Sequence, residues 1–92
     1  MGIIQFSGKA YGNQDTAGAD TARRFVAAEK RLRDVVIQVA TYAQLFGDAT
    51  SQTYSVGAGD TIGFTQLELS TLYFKNSTAG QNGVVRILAV EE

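Results

Sequence analysis

The side chains here with a route to chemistry are carboxylates, Lys, Tyr and Ser, because the 92 residues include no His and no Cys. That removes the thiolate nucleophile, the imidazole base and the usual zinc ligands. Among the carboxylates, Glu68 lies between Leu67 and Leu69, and Glu91 and Glu92 occupy the last two positions. These spacings make no recognisable pair of the kind glycoside chemistry uses, with carboxyl groups roughly 5–10 Å apart. Asp48 and Asp60 each follow a glycine, in Gly-Asp-Ala-Thr and Gly-Asp-Thr-Ile. The composition suits a weak cation site, but no calcium-loop spacing accompanies it, and an Asp at a turn is explained by its own backbone hydrogen bonds. Gly57-x-Gly59 with Gly63 has the letters of a nucleotide loop. A dinucleotide fingerprint needs a helix after it, whereas here a strand pattern follows, so the segment reads as a hairpin turn. The expectation is a protein with no catalytic residues, no metal site and no cofactor: not an enzyme.

Charge points instead to contact surfaces. The net charge is −1, and it is unevenly spread. Residues 23–34 hold Arg23, Arg24, Lys30, Arg31 and Arg33 against Glu29 and Asp34, whereas residues 35–92 hold Lys75 and Arg86 against five acidic residues. Such asymmetry orients a subunit against a charged neighbour, through arginine forks on carboxylates, or forms a solvated face. It is too thin for a nucleic-acid footprint. No apolar run approaches the roughly 20 residues of a membrane helix. The first residues lack the pattern of a signal peptide, and Phe6 breaks the myristoylation pattern. The expectation is therefore no nucleic-acid partner and no membrane. The Asn76-Ser77-Thr78 triplet matches a glycosylation acceptor without an export signal beside it.

The elements that must position any surface follow from periodicity. Residues 1–22 read as an N-terminal arm: Ile3, Ile4 and Phe6 make a short apolar patch, and Gly8 to Asp20 is small and polar. Residues 23–92 read as one domain. Two readings stay open over 21–46. On helical spacing Ala22, Phe25, Val26, Leu32, Val36, Val39, Ala40 and Ala43 share a face, which gives an α+β protein. On strand spacing Val35, Ile37 and Val39 alternate with Val36, Gln38 and Ala40, in a β-branched cluster. Beyond Gln52 the pattern is clearer. Tyr54 and Val56 alternate, Gly57 to Asp60 turns the chain, and Ile62 and Phe64 resume. Leu67 and Leu69 fall on the opposite parity, which predicts a bulge or bend near Gln66. Leu72 and Phe74 form another run, with Tyr73 and Lys75 facing the other way. A polar loop over 76–83, whose Asn-Gly pair favours positive φ, precedes a final strand, Val84 to Val90, with both faces partly apolar. Such a strand is central in its sheet or covered by a partner. Of the tyrosines, Tyr11, Tyr42 and Tyr73 are expected at the surface. The fold class expected is all-β, a small antiparallel sandwich or barrel.

The run from Val56 through Ala58-Gly59-Asp60, Leu69-Ser70-Thr71-Leu72-Tyr73 and the loop to Val84–Val90 resembles a segment common in small tailed-phage virion proteins. Val35–Val39 and Leu45-Phe46-Gly47-Asp48 look like the earlier strands of such domains. The resemblance implies a jelly-roll-like β-sandwich serving as a decoration or cement protein of the phage head. It favours strands over a helix in 35–46. Its implied partners are the major capsid protein and copies of the chain itself, as a homo-oligomer on the virion. On that reading Ile3, Ile4, Phe6, Tyr11, Arg23, Arg24, Lys30, Arg31 and Arg33 are the candidate intersubunit contacts. A carbohydrate- or receptor-binding β-module of a phage fibre is the alternative, and it predicts a concave, exposed aromatic cluster.

Overall fold

The computed structural model describes residues 8–17 and 21–92. Among them the chain forms seven strands: β1 (Ala10–Ala17), β2 (Arg31–Thr41), β3 (Gln44–Gly47), β4 (Gln52–Val56), β5 (Thr61–Glu68), β6 (Tyr73–Asn76) and β7 (Gly83–Glu91). One 3-10 turn, Leu69–Thr71, joins β5 to β6. Every pairing is antiparallel, in a four-stranded sheet ordered β1-β7-β2-β5 and a three-stranded sheet ordered β4-β3-β6. The two sheets pack as a sandwich whose short axis is 18 Å.

The pairings nest. β1 pairs with β7, Arg23 bridges to Phe74 of β6, β2 pairs with β5, and β3 pairs with β4. The chain is thus one long hairpin turned at β3–β4, rolled so that its successive pairs alternate between the two sheets. That is the topology of a jelly roll. Arg23 stands where an eighth strand would run, reduced to a single rung by hydrogen bonds of 2.9 and 2.8 Å with the Phe74 backbone.

The core follows from alternation. Leu32, Val35, Ile37 and Val39 of β2 and Val85, Ile87 and Ala89 of β7 point inward and meet Phe46, Val56, Leu69, Leu72 and Phe74. The helical alternative for 21–46 is overturned: β2 is eleven residues of strand. Its β-branched side chains pack well on a pleated surface and lose χ1 freedom in a helix. The parity break near Gln66 is present, since Ile62, Phe64 and Leu67 all pack against the core. Its counterpart on β2 is Asp34, whose φ of 51° marks a bulge where the β2–β7 register shifts between Arg33 and Val36. The expectation for β7 also holds in its first form, as β7 lies between β1 and β2.

Three expectations are corrected. Residues 10–17, read as part of an arm, form a strand paired to β7 along its whole length. Their small side chains bury little, but the backbone ladder needs no large side chain; Ile3, Ile4 and Phe6 lie outside the described residues. The 57–60 turn is not a hairpin, because β4 pairs with β3 and β5 with β2. It carries the chain across the sandwich, with Gly59 at φ 88° and its N–H donating 2.7 Å to the Val39 carbonyl. In the 76–83 loop the left-handed residue is Gly80, not the Asn-Gly pair. Gly83 is needed for space: a Cβ there would collide with the Gln44 side-chain amide.

Candidate functional site

The candidate intersubunit residues do not gather into one basic patch. Arg23 and Arg24 sit beside the three-stranded sheet. The Arg23 Nε and Nη2 donate to the two Asp15 carboxylate oxygens at 2.7 and 2.8 Å. Arg24 donates 3.2 Å to the Ser70 carbonyl and lies 5.3 Å from the Tyr73 ring centre. Lys30, Arg31 and Arg33 lead into and start β2, and the Lys30 carbonyl accepts from the Leu69 N–H, one residue from the Ser70 that Arg24 contacts. Lys30 Nζ contacts Glu91 at 2.7 Å and lies 5.0 Å from the centre of the Tyr11 ring. Arg31 reaches Glu29 at 3.5 Å in solvent, and Arg33 lies 3.7 Å from Asp34. Tyr11, expected at the surface, is half-buried and packs on the core. Much of the basic segment is therefore spent on contacts within the domain.

Two glutamates are held charged by that same end of the sandwich. The Glu68 carboxyl titrates below the ordinary range, chiefly because the Lys30 backbone N–H donates to it at 2.8 Å, with the Ser70 N–H and hydroxyl adding to the effect. Glu68 thereby caps the 3-10 turn. The Glu91 carboxyl is likewise lowered, first by the hydrogen bond from Lys30 and then by the charges of Lys30 and Lys9. Both arrangements tie the strand ends and the 3-10 turn together.

Sequence reasoning missed a buried polar hub at the β3–β6 junction. Gln44 is fully buried and Asn76 nearly so. Asn76 Nδ2 donates to the carbonyls of Ala17, at 2.7 Å, and Gln81. Its Oδ1 accepts from the Gln44 amide at 2.8 Å and from the Gly83 N–H at 3.1 Å. One side chain thus ties β1, β3, the 77–82 loop and β7 together. The signal was parity: Asn76 continues the inward series of Leu72 and Phe74, and Gln44 shares the inward face of β3 with Phe46.

Among the described residues, two surfaces carry exposed apolar side chains. The first is a cleft of about 460 Å³ between the edge strands β4 and β5, lined by Phe46, Tyr54, Ile62, Phe64 and Leu72. Tyr54 pairs across to Phe46 and shares its inward side, yet it is 66% exposed because the sandwich is open at this edge. Tyr54 thus replaces Tyr11 and Tyr73 as the leading exposed aromatic; Tyr42, at 49%, fulfils the expectation. No charged side chain lines the cleft. The second surface is the outer face of the four-stranded sheet, where Val36 is 50% and Leu88 42% exposed on neighbouring strands. Among the described residues no cluster of metal-ligating side chains is present, and no helix is long and apolar enough to cross a membrane. Set against family models, curated proteins and solved structures, the chain finds no match.

Proposed function

We propose that the chain is a structural subunit of a virion, a decoration or cement protein that binds the head of a tailed phage in many copies. The observation that carries this reading is the exposed Val36–Leu88 pair at the centre of the four-stranded sheet. An antiparallel sheet with one face on the core turns polar residues outward, and large apolar groups there suit burial by a partner. Jelly rolls recur in capsid and lectin domains, which supports this reading by analogy of fold. On a lattice, modest contacts per copy suffice, because linked contacts act at high effective concentration. Ile3, Ile4 and Phe6 supply further apolar contacts on this reading, and the exposed Arg31 supplies a charged one.

The direct test is quantitative mass spectrometry of purified particles encoded by the same genome. The chain should be present in a fixed ratio to the major capsid protein and should survive repeated sedimentation; its absence from clean particles sinks the proposal. The open cleft sustains the second reading, a carbohydrate-binding fibre module, because Tyr54 and Phe64 form a concave aromatic wall. The absence of charged side chains from that lining favours an apolar occupant over a sugar, whose hydroxyls need polar partners. Binding to a glycan array that Tyr54→Ser abolishes would reverse this preference.

A further inference from the structure

The open edge of the sandwich lacks the features that keep sheet edges from pairing. β4 and β5 each end their sheet, and among the described residues neither pairs with a further strand on its outer side. Natural edges are blunted by charge, by proline or by a covering segment. Along Gln52–Val56 and Thr61–Glu68 the only charged residue is Glu68. It is occupied by the Lys30 N–H and the 3-10 turn, at the far end of β5 from the cleft. The closed edge is different: β1 carries Asp15, which holds Arg23, and β6 is covered by the Arg23 rung. Between the two bare strands lies the apolar cleft of Phe46, Tyr54, Ile62, Phe64 and Leu72. A segment laid along either strand would extend its ladder and turn alternate side chains into the cleft. The chemistry of the occupant follows: short, extended, uncharged, and apolar at every second residue.

The chain itself contains such a segment. Ile4 and Phe6 alternate about Gln5, Ile3 adjoins them, and no charged side chain occurs from Met1 to Ser7. These residues lie outside the described ones, but their attachment point is placed. Gly8 adjoins Lys9, whose carbonyl accepts from the Glu91 N–H, so it continues the β1 edge of the four-stranded sheet. The cleft is at the opposite edge. Its Gly63 shares a rung with Val36, Leu88 and Gly12. Gly8 is thus three strand spacings across and four residues along from Gly63, a separation of about 19 Å. Fully extended, the chain sets Phe6 only about 7 Å from Gly8 and Ile3 about 17 Å. The apolar triplet therefore falls short of its own cleft even before it turns around the β5 edge. Another copy's cleft has no such limit.

We infer that residues 3–6 of one copy dock as an added strand in the β4–β5 cleft of a second copy. Ile4 and Phe6 then take the place of the missing wall beside Tyr54 and Phe64. Arm and cleft are different surfaces, so the contact runs head-to-tail, or is made twice when two copies exchange arms. The inference stands apart from the virion reading, because it concerns contact between copies and is tested without particles.

The test is sedimentation of purified full-length protein over a range of concentrations. The parent should self-associate. Phe6→Asp, in the arm, and Tyr54→Asp, in the cleft, should each weaken that association about tenfold or more. Mixing the two variants should restore it in part, because one keeps an intact cleft and the other an intact arm. Loss of folding would not produce such recovery, and thermal unfolding of each dilute variant should match the parent. Since the chain has no cysteine, a second measurement is clean: Phe6→Cys mixed with Tyr54→Cys should oxidise to the mixed dimer in excess over either homodimer. A parent that stays monomeric overturns the inference, as does a mixture of the Asp variants that fails to recover. Statistical pairing of the two Cys variants would also overturn it. So would a disulfide within one chain of the dilute Phe6→Cys, Tyr54→Cys double variant, which would put the arm in its own cleft.

Discussion

The two long edges of the sandwich are built in opposite ways. At one edge β1 of the four-stranded sheet faces β6 and the Arg23 rung, and polar groups close the gap: Arg23 grips Asp15, and Asn76 reaches the Ala17 carbonyl. Phe25 and Phe46 pack on Phe74 at ring distances of 5.1 and 5.8 Å just inside it. At the other edge β4 and β5 part around Tyr54 and leave the apolar cleft open. Stability is concentrated at the first edge. The second carries apolar surface that the fold leaves uncovered. A small domain has little core to spare, so concentrating directional bonds at one edge lets the other stay open without unravelling.

Substitutions at the two edges should therefore differ sharply. Phe74→Ala removes a fully buried ring at the closed edge and should cost about 3–5 kcal/mol in urea unfolding, enough to unfold a marginal domain. Asn76→Ala strands two carbonyls, the Gly83 N–H and the Gln44 amide; it should cost about 2–3 kcal/mol by the same measurement. At the open edge Tyr54→Ser should alter stability by no more than about 0.5 kcal/mol. A large loss there would mean that Tyr54 is a core residue and that the contrast between the edges is false.

Acid sharpens the same contrast from the ionic end. The Glu68 and Glu91 carboxyls titrate below their ordinary range in the folded chain. A lowered folded-state pKa stabilises the fold above the unfolded value of about 4.3, and the contribution is lost as pH falls through the lower folded values. Unfolding midpoints should therefore drop below about pH 4, and a Glu68→Gln, Glu91→Gln double variant should show a shallower drop from a lower starting point. An identical acid profile in that variant would remove both carboxylates from the account.

β7 was legible in the sequence, and so was the parity break that Asp34 answers from across the sheet; β2 was legible only as one of two readings, because its apolar residues also fit one face of a helix. β1 was not legible, because Gly12, Asn13 and Gln14 carry no hydrophobic period and its place is set by the ladder it makes with β7. The crossing at 57–60 was read as a turn but not as a change of sheet, since turn residues report the bend and not the partner. The basic segment was legible as charge only. Its pairing with Asp15 and Glu91 depends on residues 8 and 61 positions away, which no local pattern encodes. The apolar pair on the outer face was invisible for the same reason: Val36 and Leu88 become neighbours only through register.

A reconstruction of the assembled particle, at a resolution that separates β-strands, tests the central claim most directly. It should show the jelly roll on the shell, with the exposed Val36–Leu88 pair covered. A particle without this domain, or one that leaves the outer face of the four-stranded sheet in solvent, would contradict it.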